Sequence, residues 1–238
     1  MKQHILSILW FICDLIVPPR PTEQAVRGLV PADLHGILRV ENGALPYADP
    51  RVRALVWEVK YYANPKAATL CGEILAEVLM EVAGESIGKP LLLPIPIHKT
   101  RRKERGHNQT EVLVEAALRT LESVNKISRR KVWKPTAPLW ALRRPEDFLE
   151  RNFIHAFEYS PHMLVRTKHT QQQQGLPKQK RLSNVAHSME VMHPEKIIGR
   201  VCIVVDDVST TGATFMEAER ALKRAGAAEV ICVALAQS

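Results

Sequence analysis

From Asp49 onward the apolar residues fall into alternating helical and extended patterns. Val52, Leu55, Val56 and Val59 recur at helical spacing behind Asp49-Pro50, a capping acid followed by the residue favoured at the first helical position. Asn64-Pro65 repeats that start, and Leu70, Ile74, Leu75, Val78, Leu79 and Val82 form an apolar stripe that Gly84 closes. Leu91 to Ile97 is a short apolar run broken by Pro94 and Pro96, which predicts a buried strand. Asn108 and Glu111 match a capping box and predict a helix to about Glu122. Met163-Leu164-Val165 reads as a short strand, and Pro177 opens a short helix through Ala186. Val201 to Val205 is a β-rich run that ends at Asp206. A helix with Met216, Leu222 and Ala225 facing inward and Gly226 as its cap comes next, then a strand over Val230 to Leu235.

Strand, loop, helix and strand in this order predict an α/β fold with a parallel sheet. The polar segments after the strands sit where open sheets of this kind bind ligands. The chain before residue 49 reads differently. Ile5 to Val17 is a 13-residue apolar stretch interrupted by Asp14, shorter than the ~20 residues a membrane-spanning helix needs. It predicts a short amphipathic or core-packed helix. The segment 18–48, with Pro18, Pro19, Pro21, Pro31, Gly28, Gly36 and Gly43, predicts an irregular arm. The expected division is therefore 1–48, a helix and an arm, and 49–238, the α/β domain.

Charge sharpens this picture. The 238 residues carry 33 Lys plus Arg and 25 Asp plus Glu, a net charge of +8. Between His98 and Arg181 there are 19 basic and 8 acidic residues, so the rest of the chain is slightly acidic. A phosphate-rich partner, either a nucleotide-like substrate or a nucleic acid, would suit that middle section, as would a solvated surface. Trp133 and Trp140 lie in its least legible part, where they could stack on bases or anchor the segment to the core. Cys13, Cys71, Cys202 and Cys232 show no CxxC spacing, and the nine histidines show no metal-ligand spacing. Cys202 and Cys232 fall in apolar runs and suit a reducing compartment, so a cytoplasmic location is expected.

The segment after Val205 carries the chemistry. Ser209, Thr210, Thr211, Gly212, Ala213 and Thr214 are small or hydroxyl-bearing residues at a helix start, where backbone N–H groups and the helix dipole favour an anion. They predict a cradle for a single phosphate without the lysine of a Walker loop. Asp206 and Asp207 stand just before it. Beside a phosphate, such a pair is expected to face vicinal sugar hydroxyls or a divalent cation. Lys99, Arg101, Arg102, Lys103 and Arg105, with Glu104 as the single acid among them, form a basic loop at the end of the Leu91–Ile97 strand, suited to a diphosphate.

Ile203 to Thr214 resembles the phosphoribosyl-pyrophosphate (PRPP) motif of type I phosphoribosyltransferases. Lys60-Tyr61, Pro94-Ile95-Pro96, Arg105-Gly106-His107-Asn108-Gln109, and Gln173, Leu176, Arg181 and Asn184 narrow the resemblance to the ComF (competence protein F) family. The resemblance implies a type I phosphoribosyltransferase-like, Rossmann-like parallel sheet flanked by helices, with a flexible hood loop. It implies that Asp206 and Asp207 hold the ribose hydroxyls as the catalytic pair. Ser209, Thr210, Thr211, Gly212, Ala213 and Thr214 would hold the 5-phosphate, and Lys99, Arg101 and Arg105 would serve a pyrophosphate loop. Lys168 and Gln173 would belong to the hood, and Mg would be held through the substrate near the two acids. Two departures stand out: the four-cysteine zinc ribbon usual at the start of ComF proteins is not expected with Cys13 alone, and His107 stands where an aromatic is usual.

Two functions of different class follow. One is phosphoribosyl transfer from PRPP to a nitrogen acceptor. The other is a non-catalytic role, either binding single-stranded DNA in competence and DNA uptake or sensing PRPP. The expected partners are PRPP or another phosphoribosyl compound, single-stranded DNA under the second reading, and a second copy of the chain in a homodimer.

Overall fold

The computed structural model describes residues 19–40, 44–85, 88–130, 156–168 and 187–238. The helices expected at Ile5–Val17 and Pro177–Ala186, both middle tryptophans and Gln173 lie outside these residues.

The stretch expected to be irregular contains helices α1 (Pro21–Gly28) and α2 (Pro31–His35) and strand β1 (Leu45–Pro46). Its prolines start the helices rather than prevent them, because a proline at the first helical position lacks only an N–H that would have no helical partner. Val26 and Leu34 then enter the main core. Helix α3 (Pro50–Tyr62) is capped by Asp49, whose side chain accepts the Arg51 N–H at 2.8 Å. Helix α4 (Pro65–Glu85) is capped by Asn64, whose side-chain oxygen accepts the N–H groups of Lys66 and Ala67. Glu58 is fully buried where these helices meet. It accepts from the Thr22 hydroxyl at 2.6 Å, the Arg20 guanidinium at 3.1 Å and the Asn64 amide at 3.0 Å. Burial alone would push its carboxyl up; the three donors outweigh burial and hold it below its ordinary value.

Strand β2 (Leu91–Pro94) leads to helix α5 (Lys99–Arg105) and helix α6 (Gln109–Arg130). The basic segment expected as a loop is thus helical. His98 caps it by accepting the Thr100 N–H at 3.3 Å, and Gly106 ends it in the left-handed region at φ 79°. Asn108 caps α6, accepting the Thr110 N–H at 3.1 Å and donating to Glu111 at 3.3 Å. The helix passes Glu122 because no proline or glycine interrupts the following residues.

The remaining elements are β3 (Glu158–Tyr159), β4 (Leu164–Arg166), β5 (Met189–Val191), β6 (Val201–Ser209), α7 (Ala213–Arg224) and β7 (Glu229–Gln237). Five strands form one parallel sheet in the order β1-β7-β6-β2-β3, whereas β4 and β5 pair only with each other, antiparallel. Leu92, Ile203, Val205, Val233 and Leu235 join the core shared with helices α1 to α4 and α6. Leu91, Leu93, Cys202 and Val204 join a second core with α7 and the β4–β5 ribbon. The sheet is therefore covered on both faces, as its nearly continuous apolar strands require.

Two local expectations are corrected. Strand β6 does not stop at Val205, because β7 runs alongside it and pairs Val208 with Ala236 and Ser209 with Gln237. Met216 does not face inward and is 60% exposed. The helix starts at Ala213 and buries Ala213, Glu217, Ala218, Ala221 and Leu222, a stripe that leaves Met216 on the far side.

Candidate functional site

An open cleft of about 280 Å³ lies at the carboxyl ends of β2 and β6. Asp206 and Asp207 line it, and they are the only acids among the described residues that do. Both are largely buried. Each holds its acid in place by a bond to the next amide: Asp206 Oδ1 accepts the Asp207 N–H at 2.9 Å, and Asp207 Oδ1 accepts the Val208 N–H at 2.9 Å. The other oxygen of Asp207, Oδ2, is buried without a hydrogen-bond partner among the described residues. Burial first, and then the neighbouring negative charge of Asp207, push the Asp206 carboxyl well above the usual carboxylate range; Arg166 acts against this.

The cations come from three elements, with Lys60 lining the cleft from α3. Arg101 and Arg105 stand one turn apart on α5 and both line the cleft. Arg166 reaches it from the end of β4. Burial lowers the affinity of Arg101 for its proton, and Arg105 lowers it further. Burial likewise lowers that of Arg166, with Asp206 opposing and Arg101 reinforcing the effect. Like charges are thus held close together, partly out of water, an arrangement that an anion would relieve.

The sequence-predicted residues divide accordingly. Of the basic segment, Arg101 and Arg105 reach the cleft, whereas Lys99 is exposed outside it and Arg102 pairs with Glu111 at 2.7 Å. Of the hydroxyl-rich segment, Thr210 and Thr214 line the cleft; Ser209, Thr211, Gly212 and Ala213 surround the start of α7 without lining it. No side chain caps α7, and its first helical bond runs from the Met216 N–H to the Gly212 carbonyl. The Val208 amide, just before the predicted cradle, donates to Asp207. Lys168 is exposed beyond β4 and does not line the cleft.

Sequence reasoning passed over Arg166 and Trp57. The signal for Arg166 was a basic residue ending the Met163–Val165 strand just ahead of a polar stretch. Trp57 and Tyr61 line the cleft from α3, one turn apart, with ring centroids 4.4 Å apart and planes inclined by 46°. The Arg105 guanidinium lies 5.3 Å and the Lys60 ammonium 5.8 Å from the centre of the Tyr61 ring. His107 bridges α5 and α3: its Nδ1 lies 3.0 Å from the Arg105 carbonyl oxygen and its Nε2 2.9 Å from that of Val59.

Among the described residues, no helix is long and apolar enough to cross a membrane, and no three His, Cys, Asp or Glu side chains are grouped to hold a metal ion. Residues 161–238, which include Arg166, the acid pair and the segment 209–214, match the phosphoribosyl transferase domain. The chain is similar to competence protein F of Haemophilus influenzae, with 27% identity over 149 residues, covering 62% of this chain and 50% of that protein. The matched part therefore spans about half the length of that relative. These likenesses, together with the parallel sheet and the acid pair near the end of its central strand, support a ComF-like protein of phosphoribosyltransferase type.

Proposed function

We propose that the cleft binds PRPP and transfers its phosphoribosyl group to a nitrogen acceptor. The observation that carries this reading is the meeting of opposite demands in one cleft. Asp206 and Asp207 offer oxygens to hydroxyl donors, and Arg101, Arg105 and Arg166 offer charge to an anion. A ribose bearing a diphosphate at C1 and a phosphate at C5 answers both. The two acids accept from the ring hydroxyls, the arginines bind the diphosphate, and the 5-phosphate faces Thr210, Thr214 and the positive end of α7.

Transfer forms a bond between the acceptor nitrogen and C1 and breaks the bond from C1 to the diphosphate oxygen. The bonding pair leaves with the diphosphate; an N–H acceptor gives its proton to solvent, whereas a pyridine-type nitrogen attacks through its lone pair and has none to lose. Arginines fixed around the departing group stabilise its growing charge without reorganising, and no covalent nucleophile is needed from the protein. Magnesium fits the donors present. They are hard oxygens, Asp207 Oδ2 lacks a partner among the described residues and is open to a sugar hydroxyl, and magnesium is commonly held by substrate oxygens rather than by an all-protein cage. When bound, the ion would add positive charge to the diphosphate, with Asp206 and Asp207 holding it through the sugar.

Calorimetry with PRPP and magnesium tests this reading. Binding to the wild-type chain that falls at least tenfold in the Asp206→Asn, Asp207→Asn double variant is expected. Unchanged affinity removes the ribose assignment. Release of pyrophosphate in the presence of amine and heterocyclic acceptors separates transfer from binding alone.

A further inference from the structure

Tyr61 stands against Arg105, but Trp57, the outer ring of the aromatic wall, has no part in the PRPP reading. Helix α3 buries Val52, Leu55, Val56 and Val59 in the core, yet it leaves Trp57 42% exposed at the cleft. A large ring kept half in water next to a second ring, with both lining a cleft, makes a face on which another flat ring can stack. The charges around it are of one sign. Lys60 and Arg105 flank Tyr61, and the two cleft acids belong to the sugar-binding end of β6. A cationic ring would be repelled there, whereas a ring with a carboxylate on its edge would be attracted.

We propose that Trp57, Tyr61 and Lys60 seat the acceptor, a planar nitrogen heterocycle that carries a carboxylate. The rings of Trp57 and Tyr61 take its face, and the Lys60 ammonium takes its carboxylate. This assignment rests on the phosphoribosyl reading for the word acceptor, but the seat itself can be measured without PRPP.

Equilibrium dialysis of the full chain with labelled nicotinate and orotate, and with uncharged uracil and adenine, provides the test, with and without PRPP plus magnesium. The carboxylated rings should bind more tightly than the uncharged ones. Trp57→Ala should weaken them by about tenfold or more, and Trp57→Phe should retain most of the affinity. Lys60→Met should remove the preference for the carboxylate while leaving the uncharged rings unaffected. Trp57 is exposed, so a circular dichroism spectrum like that of wild type is expected for Trp57→Ala, and PRPP should bind that variant as it binds wild type. Carboxylated rings that bind no better than uncharged ones, or that bind Trp57→Ala as tightly as wild type, overturn the proposal. So does stacking seen only with a single-stranded oligonucleotide. If PRPP binds and no ring does, the seat falls and the phosphoribosyl reading stands. If the rings bind through Trp57 and PRPP does not bind, the reverse holds.

Discussion

Glu217 of α7 accepts the Met189 N–H of β5 at 3.0 Å, tying the helix that follows the acid pair to the ribbon that carries Arg166. The same carboxylate pairs with Arg220 at 2.8 Å. Burial alone would raise its proton affinity; Arg220 and the Met189 and His187 N–H groups outweigh burial and hold the carboxyl down at about 2. Because this lies below the ordinary value of 4.5, Glu217 contributes stability that is complete above that pH and is lost as pH falls toward about 2. Glu217→Ala should cost about 1–3 kcal/mol near neutral pH by leaving the Met189 N–H unpaired. It should also weaken PRPP binding by displacing Arg166. Urea titrations across acid pH check this: a variant that loses stability in acid as steeply as wild type contradicts it.

Asp206 predicts the opposite sign. In the folded chain it keeps its proton at pH values where the unfolded chain, with an ordinary value of 3.8, has already lost it. Folding stability therefore falls as pH rises from that value through the folded one. Asp206→Asn has no proton to lose, so its Tm should exceed that of wild type at about pH 8, and the gap should close toward about pH 4. PRPP binding should fall at the same time. A Tm lower than wild type at the higher pH would show that the carboxylate is stabilised rather than strained.

Gly72 tests how closely α4 and α6 approach. A Cβ there would stand 2.7 Å from both the carbonyl carbon and the Cβ of Ala116, and 2.9 Å from the Ala117 nitrogen. Much of this is backbone and cannot swing aside, so Gly72→Ala should cost about 1–3 kcal/mol despite alanine's better helix propensity. A variant as stable as wild type in urea would mean that the two helices can move apart freely.

Gly212 tests the turn into α7. It adopts φ 72° with no atom within 4 Å of where a Cβ would lie. The cost of substitution is therefore conformational. Gly212→Val should destabilise by about 1–2 kcal/mol, and Gly212→Asn by less, because asparagine tolerates this region. Both should weaken binding of PRPP more than that of a nucleoside lacking the 5-phosphate. Equal losses for the two ligands would separate the turn from the phosphate.

The sequence displayed the sheet well and the cleft in part. Strands such as Val201 to Val205 and caps such as Asp49, Asn64 and Asn108 are local signals, set by residues a few positions apart, and the structure places them where those signals lie. Asp206 and Asp207 were legible for the same reason. What sequence concealed is set by distant neighbours. Strand β6 extends to Ser209 because β7 lies beside it, and Met216 turns outward because Ala218, Ala221 and Leu222 are the residues of α7 that pack against the sheet and the ribbon. Arg166 and Trp57 enter the site from elements more than a hundred residues apart, and a residue's own neighbours along the chain carry no record of such a meeting. The basic segment shows the limit from the other side. Five cations were visible, but only the helical period selects Arg101 and Arg105 for the cleft and turns Lys99 away.

The ribbon of β4 and β5 shares no ladder with the five-stranded sheet. The Arg166 side of the cleft is therefore tied to the body by the Glu217–Met189 bond and by apolar packing against α7, while the side that carries Asp206 and Asp207 belongs to the sheet itself. Deuterium should enter the amides of Val165 and Arg166 sooner than those of Ile203 and Val204, and an anion gripped between the walls should slow the first pair far more than the second. Slower deuterium uptake at Val165 and Arg166 would thus report occupancy peptide by peptide, without a turnover assay.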